Sequence, residues 1–450
     1  MNTVILAIFL AAVLVIGFLF SEKSLVSPLV LFVLPFLLAA LESFYYPWDI
    51  STQTVEIVAA GAVVFVVFAL VTQRVYAYVR PIPAIPHAKD QSDEQGSIHF
   101  SIWAYYLFAA IVVFSIAYIY HDEESVDATV GITGNFSAIT SGFNVANKIW
   151  DTVHLNQLAS FLYNFVNGLS YTFAYIFAKE IVTHKWHFSW WALLDFLLSA
   201  FASVISGSRT AVLGPVIGFL ICLALLYSEN GRFVFARSKA RTYFAIPLFI
   251  VLALWIGYAS AFWVGRTIQK SPLDYISVYT GAPLRNLSIW LNEGIPRNAY
   301  FGQYTFSYLY PTLIKAGLVP PTATAPLPFI HFDGYNTGNV YTTYYAFIAD
   351  FGYLGAFAAV ALMAVLTQLV FEHTRRIDFK QQTIPLTILI YSYLGFNLFM
   401  SFFSSNFYQN VVFLGFLKTI IGMLRSFLCK NFASRRPVPV PPLWQQMNES

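Results

Sequence analysis

The sequence predicts an all-α polytopic membrane protein, with about eleven transmembrane helices and one large loop between the eighth and ninth. Three observations carry this. Of 450 residues, 58% are hydrophobic and only 10% are charged, against roughly 25% charged in an ordinary soluble domain. A soluble globule cannot hide so much apolar surface, because many of its residues must face water. The apolar residues form long continuous runs rather than period-two alternation, which excludes a transmembrane β-barrel. Basic residues collect in every second connecting segment. Together these exclude a soluble enzyme, a nucleic-acid binder and a disordered chain.

Taken in order, the runs lie near 3–20, 25–42, 55–73, 100–120, 157–178, 187–205, 210–227, 242–262, 341–370, 383–402 and 408–428. The first has no basic leader and no small-residue cleavage site, so it reads as a retained span. One set of segments carries Lys23; Arg74, Arg80 and Lys89; Lys179 and Lys185; Arg232, Arg237, Lys239 and Arg241; Arg375, Arg376 and Lys380; and Lys418, Arg425, Lys430, Arg435 and Arg436. The positive-inside rule places this set in the cytoplasm, with the N-terminus outside and the C-terminus inside. Residues 1–436 read as a single integral membrane domain and 437–450 as a Pro-rich cytoplasmic tail. Cys222 and Cys429, far apart beside apolar runs, imply no disulfide framework.

Two long segments fall outside, 121–156 and 263–340. The second far exceeds ordinary loop length, and such loops are generally functional. Within it, 283–292 and 303–316 are expected to form short amphipathic helices on the membrane surface. The acidic run at 122–124 reads as a weak cation site or, by preference, as a solvated face. The remaining basic residues are Lys148, Arg209, Arg266, Lys270, Arg285, Arg297 and Lys315. All but Lys148 lie in the hairpin at 206–210 or the long loop, beside only Asp274, Glu293 and Asp333, so a basic patch stands on an otherwise acidic face.

Arg209 follows Ser206-Gly207-Ser208 at the end of a span, and Arg266 follows Gly265 at a similar depth. Arginines at headgroup level either snorkel to ordinary lipid phosphates or grip a phosphate or diphosphate bidentately. Their clustering with Arg285 and Arg297 favours the second. Acids inside a span are costly and become functional candidates by default. Asp195 either pairs with a neighbouring helix or serves function. Asp350 either faces an outward cavity or hydrogen-bonds a neighbour. His331 is of the type best poised for proton transfer, or it is an exposed bystander beside Asp333. The run containing Tyr335, Asn336, Asn339, Tyr341, Tyr344 and Tyr345 combines aromatic faces that stack on sugars with amides that read hydroxyls; an interfacial aromatic belt has the same composition. No phosphate loop, Cys/His metal spacing or GxSxG motif is present, so no metal or cofactor is expected.

The chain resembles the Wzy-type oligosaccharide repeat unit polymerases of O-antigen, capsule and related glycans. The resemblance rests on Ile205-Ser-Gly207-Ser208-Arg209-Thr210, on Tyr279-Thr-Gly281-Ala-Pro283-Leu-Arg-Asn286-Leu287 and on Phe301-Gly302-Gln-Tyr304-Thr305-Phe306. It also rests on Gly334-Tyr335-Asn336-Thr337-Gly338-Asn339 leading into Asp350-Phe351-Gly352-Tyr353-Leu354-Gly355. It implies a metal-independent glycosyltransferase of GT-C-like fold in the bacterial inner membrane. Its substrates would be undecaprenyl-diphosphate-linked glycans, as donor and acceptor, and its partners membrane lipids and a chain-length regulator protein. Arg209 and Arg266 would bind the diphosphate with Arg285 or Arg297 assisting. His331, Asp333 and Asp350 are, in that order, the candidate bases. The related ligases that move O-antigen onto lipid A are the alternative, and a flippase for lipid-linked oligosaccharides is a weaker one, since no internal repeat is visible.

Overall fold

The computed structural model describes residues 1–21, 23–45, 49–80, 101–147, 153–183, 189–205, 209–228, 272–323, 327–332, 335–377, 379, 383–410, 417, 421–422, 424–425 and 428. For residues 44, 45, 209–211, 272–276, 332, 335 and 336 only the backbone course is described. The expected span at 242–262 lies outside the described residues, and that at 408–428 largely does.

Twelve α-helices are described: α1 (Asn2–Phe20), α2 (Pro28–Tyr45), α3 (Thr52–Val79), α4 (Ile102–Thr129), α5 (Phe136–Val145), α6 (Gln157–Thr183), α7 (Trp190–Ile205), α8 (Arg209–Tyr227), α9 (Pro272–Glu293), α10 (Tyr310–Lys315), α11 (Thr342–Thr374) and α12 (Leu386–Phe399). One antiparallel hairpin, β1 (Ile330–Phe332) and β2 (Tyr335–Gly338), precedes α11. By length and apolar composition α1, α3, α4 and α11 can each cross a bilayer, and Pro28–Ser43, Trp190–Ile205, Val212–Tyr227 and Leu386–Phe402 are shorter apolar helices.

Local chemistry sets the helix starts. Ser51 Oγ accepts from the Thr54 N–H at 3.2 Å, and Asn135 Oδ1 from that of Ala138 at 3.0 Å. Asn156 Oδ1 does the same for Ala159 at 2.8 Å. Each satisfies a donor that the first helical turn leaves open. α6 is more polar than its neighbours because it is central: every residue from Gly168 to Ile181 is buried. Its Asn167 Oδ1 accepts from Ser203 Oγ of α7 at 2.7 Å, so the polar groups bond inside the protein rather than meeting lipid.

Two ends of the bundle are distinct. At the loop end, Asn2 Nδ2 donates to the Ile50 carbonyl at 2.9 Å, the Ser51 N–H donates to Ser288 Oγ of α9 at 2.6 Å, and Arg285 donates to the Asp49 carbonyl. At the basic end, Arg376 donates to the Arg80 carbonyl and its guanidinium lies 4.6 Å from the Tyr76 ring centre. There the buried Glu372 accepts from Arg375 Nε at 2.7 Å, Arg376 at 3.3 Å and Gln368 Nε2 at 3.0 Å. A buried carboxylate needs such complete pairing.

The long segment before α11 differs from the expected pair of surface helices. α9 is one helix of 22 residues. Leu284, Leu287 and Leu291, on one face, are buried, and α9 packs on α2 and α3. Its amphipathic stripe therefore covers the protein's own core. The second expected helix is reduced to a 3₁₀ turn, Ser307–Leu309, and the short α10.

α11 is not one span but two helical segments that meet at Gly352, whose φ of 70° and ψ of −175° are non-helical. An L side chain is strained there, so the break requires glycine. Tyr344 of the first segment lies against Gly61, where any Cβ would clash with its hydroxyl, and its ring lies 5.7 Å from Phe36 of α2. Tyr353, later in the chain, accepts from Gln53 Nε2 at 2.8 Å, earlier in α3, while His373 meets Tyr76 at 3.3 Å near the end of α3. Along α3 the contacts thus run backward over the first segment and forward over the second. Residues 342–351 climb from the interior toward the loop end, and 353–374 return beside α3. The second segment alone is about 33 Å long, enough to span.

Candidate functional site

The site grows around the break at Gly352. Asp350, one residue before the last turn of the climbing segment ends, is a multiple acceptor. The Thr305 N–H donates to its Oδ2 at 2.7 Å, the Tyr304 N–H to Oδ1 and Oδ2 at 3.2 and 3.1 Å, and Asn298 Nδ2 to Oδ1. The Asn298 N–H also donates to the Ala349 carbonyl at 3.0 Å. The stretch 298–305 is thereby pinned to the top of the climbing segment at both of its ends. Gln409 Nε2 donates to the Tyr304 carbonyl at 3.0 Å, and Tyr310 Oη to that of Phe301 at 2.8 Å. Several of the segment's N–H and C=O groups are thereby satisfied although it is neither helix nor sheet.

Arg297 immediately precedes this pinned stretch. One of its terminal nitrogens lies 3.9 Å from where a Cβ on Gly352 would stand. The side chain is exposed, and its guanidinium has no hydrogen-bonded or ionic partner among the described residues. Exposed apolar groups flank the break: Leu354 is 87% exposed and Tyr353 47%, and Phe301, in the pinned stretch, is 79% exposed. The Phe301 ring packs on Phe351 at 5.0 Å. The descending segment also starts here, and the N–H groups of a helix's first turn favour an anion. An unpaired cation with an apolar rim suits an amphiphile with an anionic head.

The other sequence candidates are distributed as follows. α8 begins at Arg209, whose side chain lies outside the described residues, as do Arg266 and Asp333 and the side chains of Tyr335 and Asn336. Arg285 donates to the Asp49 carbonyl and so ties α9 to the start of α3. His331 is exposed on β1, opposite Asn336 in the hairpin register. Asn339 is half-buried. Tyr341 and Tyr344, expected to offer faces to a sugar, are packing residues instead: they are 1% and 0% exposed. Tyr341 stacks on Tyr345 at 4.7 Å and donates to the Pro328 carbonyl, and Tyr344 fills the space left by Gly61. An aromatic face already covered by protein has none left for a ligand. Asp195 is buried on α7, and its carboxylate has no hydrogen-bond partner among the described residues. No group of three or more metal-ligating side chains occurs among the described residues.

Sequence reasoning missed one feature. Glu123 and Asp127, spaced to share one face of α4, are both 0% exposed rather than solvated. At ~1.5 Å per residue α4 exceeds a ~30 Å hydrocarbon core by about two turns, and these acids lie in those turns, past the expected span. α5 packs on α4 here, and its Phe143, with Ala146 and Val153 beyond its end, forms an apolar cluster with Val126, Ile132 and Leu155. Burial, then the neighbouring Asp127 and Asp122, push the Glu123 carboxyl up to about 9. Burial pushes Asp127 up to about 6. A group that binds its proton more tightly when folded stabilises the fold most at low pH, and that contribution is lost as pH rises through the folded value. The thermal midpoint of the solubilised protein is therefore expected to fall between about pH 5 and about pH 10. Glu123→Gln should flatten the upper part of that slope. A wild-type midpoint that stays level across this interval would show that the two acids are not buried together.

The fold and site define a helical membrane protein with a structured loop seated on a broken helix. No protein-family model, curated protein or solved structure matches the chain.

Proposed function

We propose that the protein is a polysaccharide polymerase, a metal-independent glycosyltransferase of about eleven spans with GT-C-like architecture in the bacterial inner membrane. In this reading the basic end is cytoplasmic, by the positive-inside rule, and the loop end faces outward. The acceptor is a hydroxyl of one undecaprenyl-diphosphate-linked repeat unit. It attacks the anomeric carbon of the growing glycan on a second carrier. The new C–O bond forms as the bond to the diphosphate breaks, undecaprenyl diphosphate leaves, and the hydroxyl proton passes to a base, for which His331 is the first candidate.

One observation carries the reading. Arg297 is an exposed cation at the loop end, unpaired among the described residues, set beside a helix break that the exposed Tyr353, Leu354 and Phe301 flank. A leaving diphosphate develops negative charge, and a preplaced guanidinium there lowers the barrier. A polyprenyl tail suits the apolar rim. Arg209 and Arg266 are assigned to the same diphosphate on sequence grounds.

Deletion of the gene and gel analysis of the surface glycan test this. A single repeat unit on the final acceptor is the expected result. Lipid-linked polymer with no transferred glycan would mean a ligase, and lipid-linked units held in the inner leaflet would mean a flippase. Unchanged long-chain glycan would sink the proposal.

A further inference from the structure

We infer that Asp350 is a positioning residue, which holds the stretch 298–305 so that Arg297 stands over the Gly352 break, and is not the proton acceptor. The inference rests on the reading of Arg297 as a diphosphate ligand. A carboxylate offers about four lone-pair sites. Those of Asp350 are engaged by Asn298 Nδ2, by the Tyr304 N–H at 3.2 and 3.1 Å and by the Thr305 N–H at 2.7 Å. A general base needs a free lone pair within reach of the acceptor hydroxyl, and here both carboxylate oxygens are held by two backbone N–H groups and the Asn298 amide.

The bonds fall where they control Arg297. Asn298, its chain neighbour, is tied twice, through its side chain to Asp350 and through its N–H to the Ala349 carbonyl at 3.0 Å. The far end of the stretch is tied to the same carboxylate through Thr305. Residues 297 and 352 are thus brought together by one side chain two residues before the break. Among the described residues Asp350 forms no ion pair with Arg297, so the guanidinium keeps its charge for a ligand. A carboxylate suits this task better than an amide would. All its partners are N–H donors, and an amide would turn an NH₂ group toward one of them.

The test uses the full-length protein in detergent or nanodiscs with farnesyl diphosphate as the probe, alongside polymer synthesis on lipid-linked repeat units. Asp350→Ala is expected to weaken probe binding about as much as Arg297→Ala, by about tenfold or more. The double variant should bind no more than about twofold weaker than the weaker single one, because both changes remove one interaction. Amide exchange at Tyr304 and Thr305 should quicken in Asp350→Ala while that of α3 stays slow. Asp350→Asn, which keeps one acceptor oxygen, should lower binding and transfer together by about three- to tenfold. It decides the matter if the alanine variant does not fold. Full probe binding in Asp350→Asn with transfer lost by about a hundredfold or more would make Asp350 the base and overturn the inference. Additive losses in the double variant would overturn it too. If Arg297→Ala weakens binding and Asp350→Ala does not, the inference alone falls. If Arg297→Ala binds the probe as the wild type does, the diphosphate reading falls and the inference with it.

Discussion

Arg297→Ala is expected to reduce polymer synthesis by roughly 30- to 150-fold while the protein remains folded in the membrane. The estimate takes about 2–3 kcal/mol for a hydrogen-bonded contact between a guanidinium and a charged oxygen, at about 1.4 kcal/mol per tenfold in rate. Arg297 makes no contact that the fold depends on: it is exposed and unpaired among the described residues. Its loss therefore reports on the ligand and not on stability. Arg297→Lys keeps the charge but loses the planar fork, and should restore only part of the activity. Lys315, exposed at the end of α10 on the same loop, serves as the control, and Lys315→Ala should leave the glycan ladder unchanged. The measurement is the length distribution made by membrane vesicles supplied with lipid-linked repeat units. A normal ladder from Arg297→Ala would remove the basis for the proposed function.

Gly352→Ala should be damaging through the backbone. At φ 70° and ψ −175° the residue occupies a region that only glycine enters freely. Among the described residues beyond its chain neighbours, a Cβ would meet the Arg297 guanidinium at 3.9 Å, ordinary contact, so the backbone is the issue. The conformation itself is expected to cost about 1–3 kcal/mol. The midpoint of thermal unfolding should drop, and a straightened α11 would draw Tyr344 away from Gly61. A cysteine placed at Tyr344, sealed in the native protein at 0% exposure, would then react with a thiol reagent in the Gly352→Ala background. Equal midpoints and an unreactive cysteine in that background would mean that the chain does not reverse at Gly352.

Much of this molecule is legible in its residues. The class follows from the runs themselves, because a length of about 20 apolar residues is a local property. The helices begin within a few residues of the expected spans, at Asn2, Pro28, Thr52, Ile102, Gln157, Trp190 and Arg209, where Ser, Asn and Pro mark the entry. The basic patch on the long segment, including Arg297, is likewise visible in the order of charges. Asp350 is legible as an oddity, an acid in an apolar run, but its partners are not. Asn298, Tyr304 and Thr305 lie some fifty residues earlier, and only the fold sets them beside it.

The sequence by itself determined that this is a helical membrane protein and where its charges and turns fall. The tertiary structure decided what those residues face. The run 341–370 reads as one span, because a glycine inside a helix costs only about 1 kcal/mol and announces no reversal; the contacts of Tyr344 and Tyr353 with α3 reveal two segments. The tyrosines before Asp350 have the composition of a sugar platform or of a core, and Phe36, Gly61 and Trp290 decide for the core. Glu123, in a run that reads as a solvated face, is buried together with Asp127 where α5 packs on α4. Apolarity and capping act between neighbours in the chain, so sequence carries them. Burial, pairing and the meeting of Arg297 with Gly352 depend on segments far apart in the chain, and only packing brings those together.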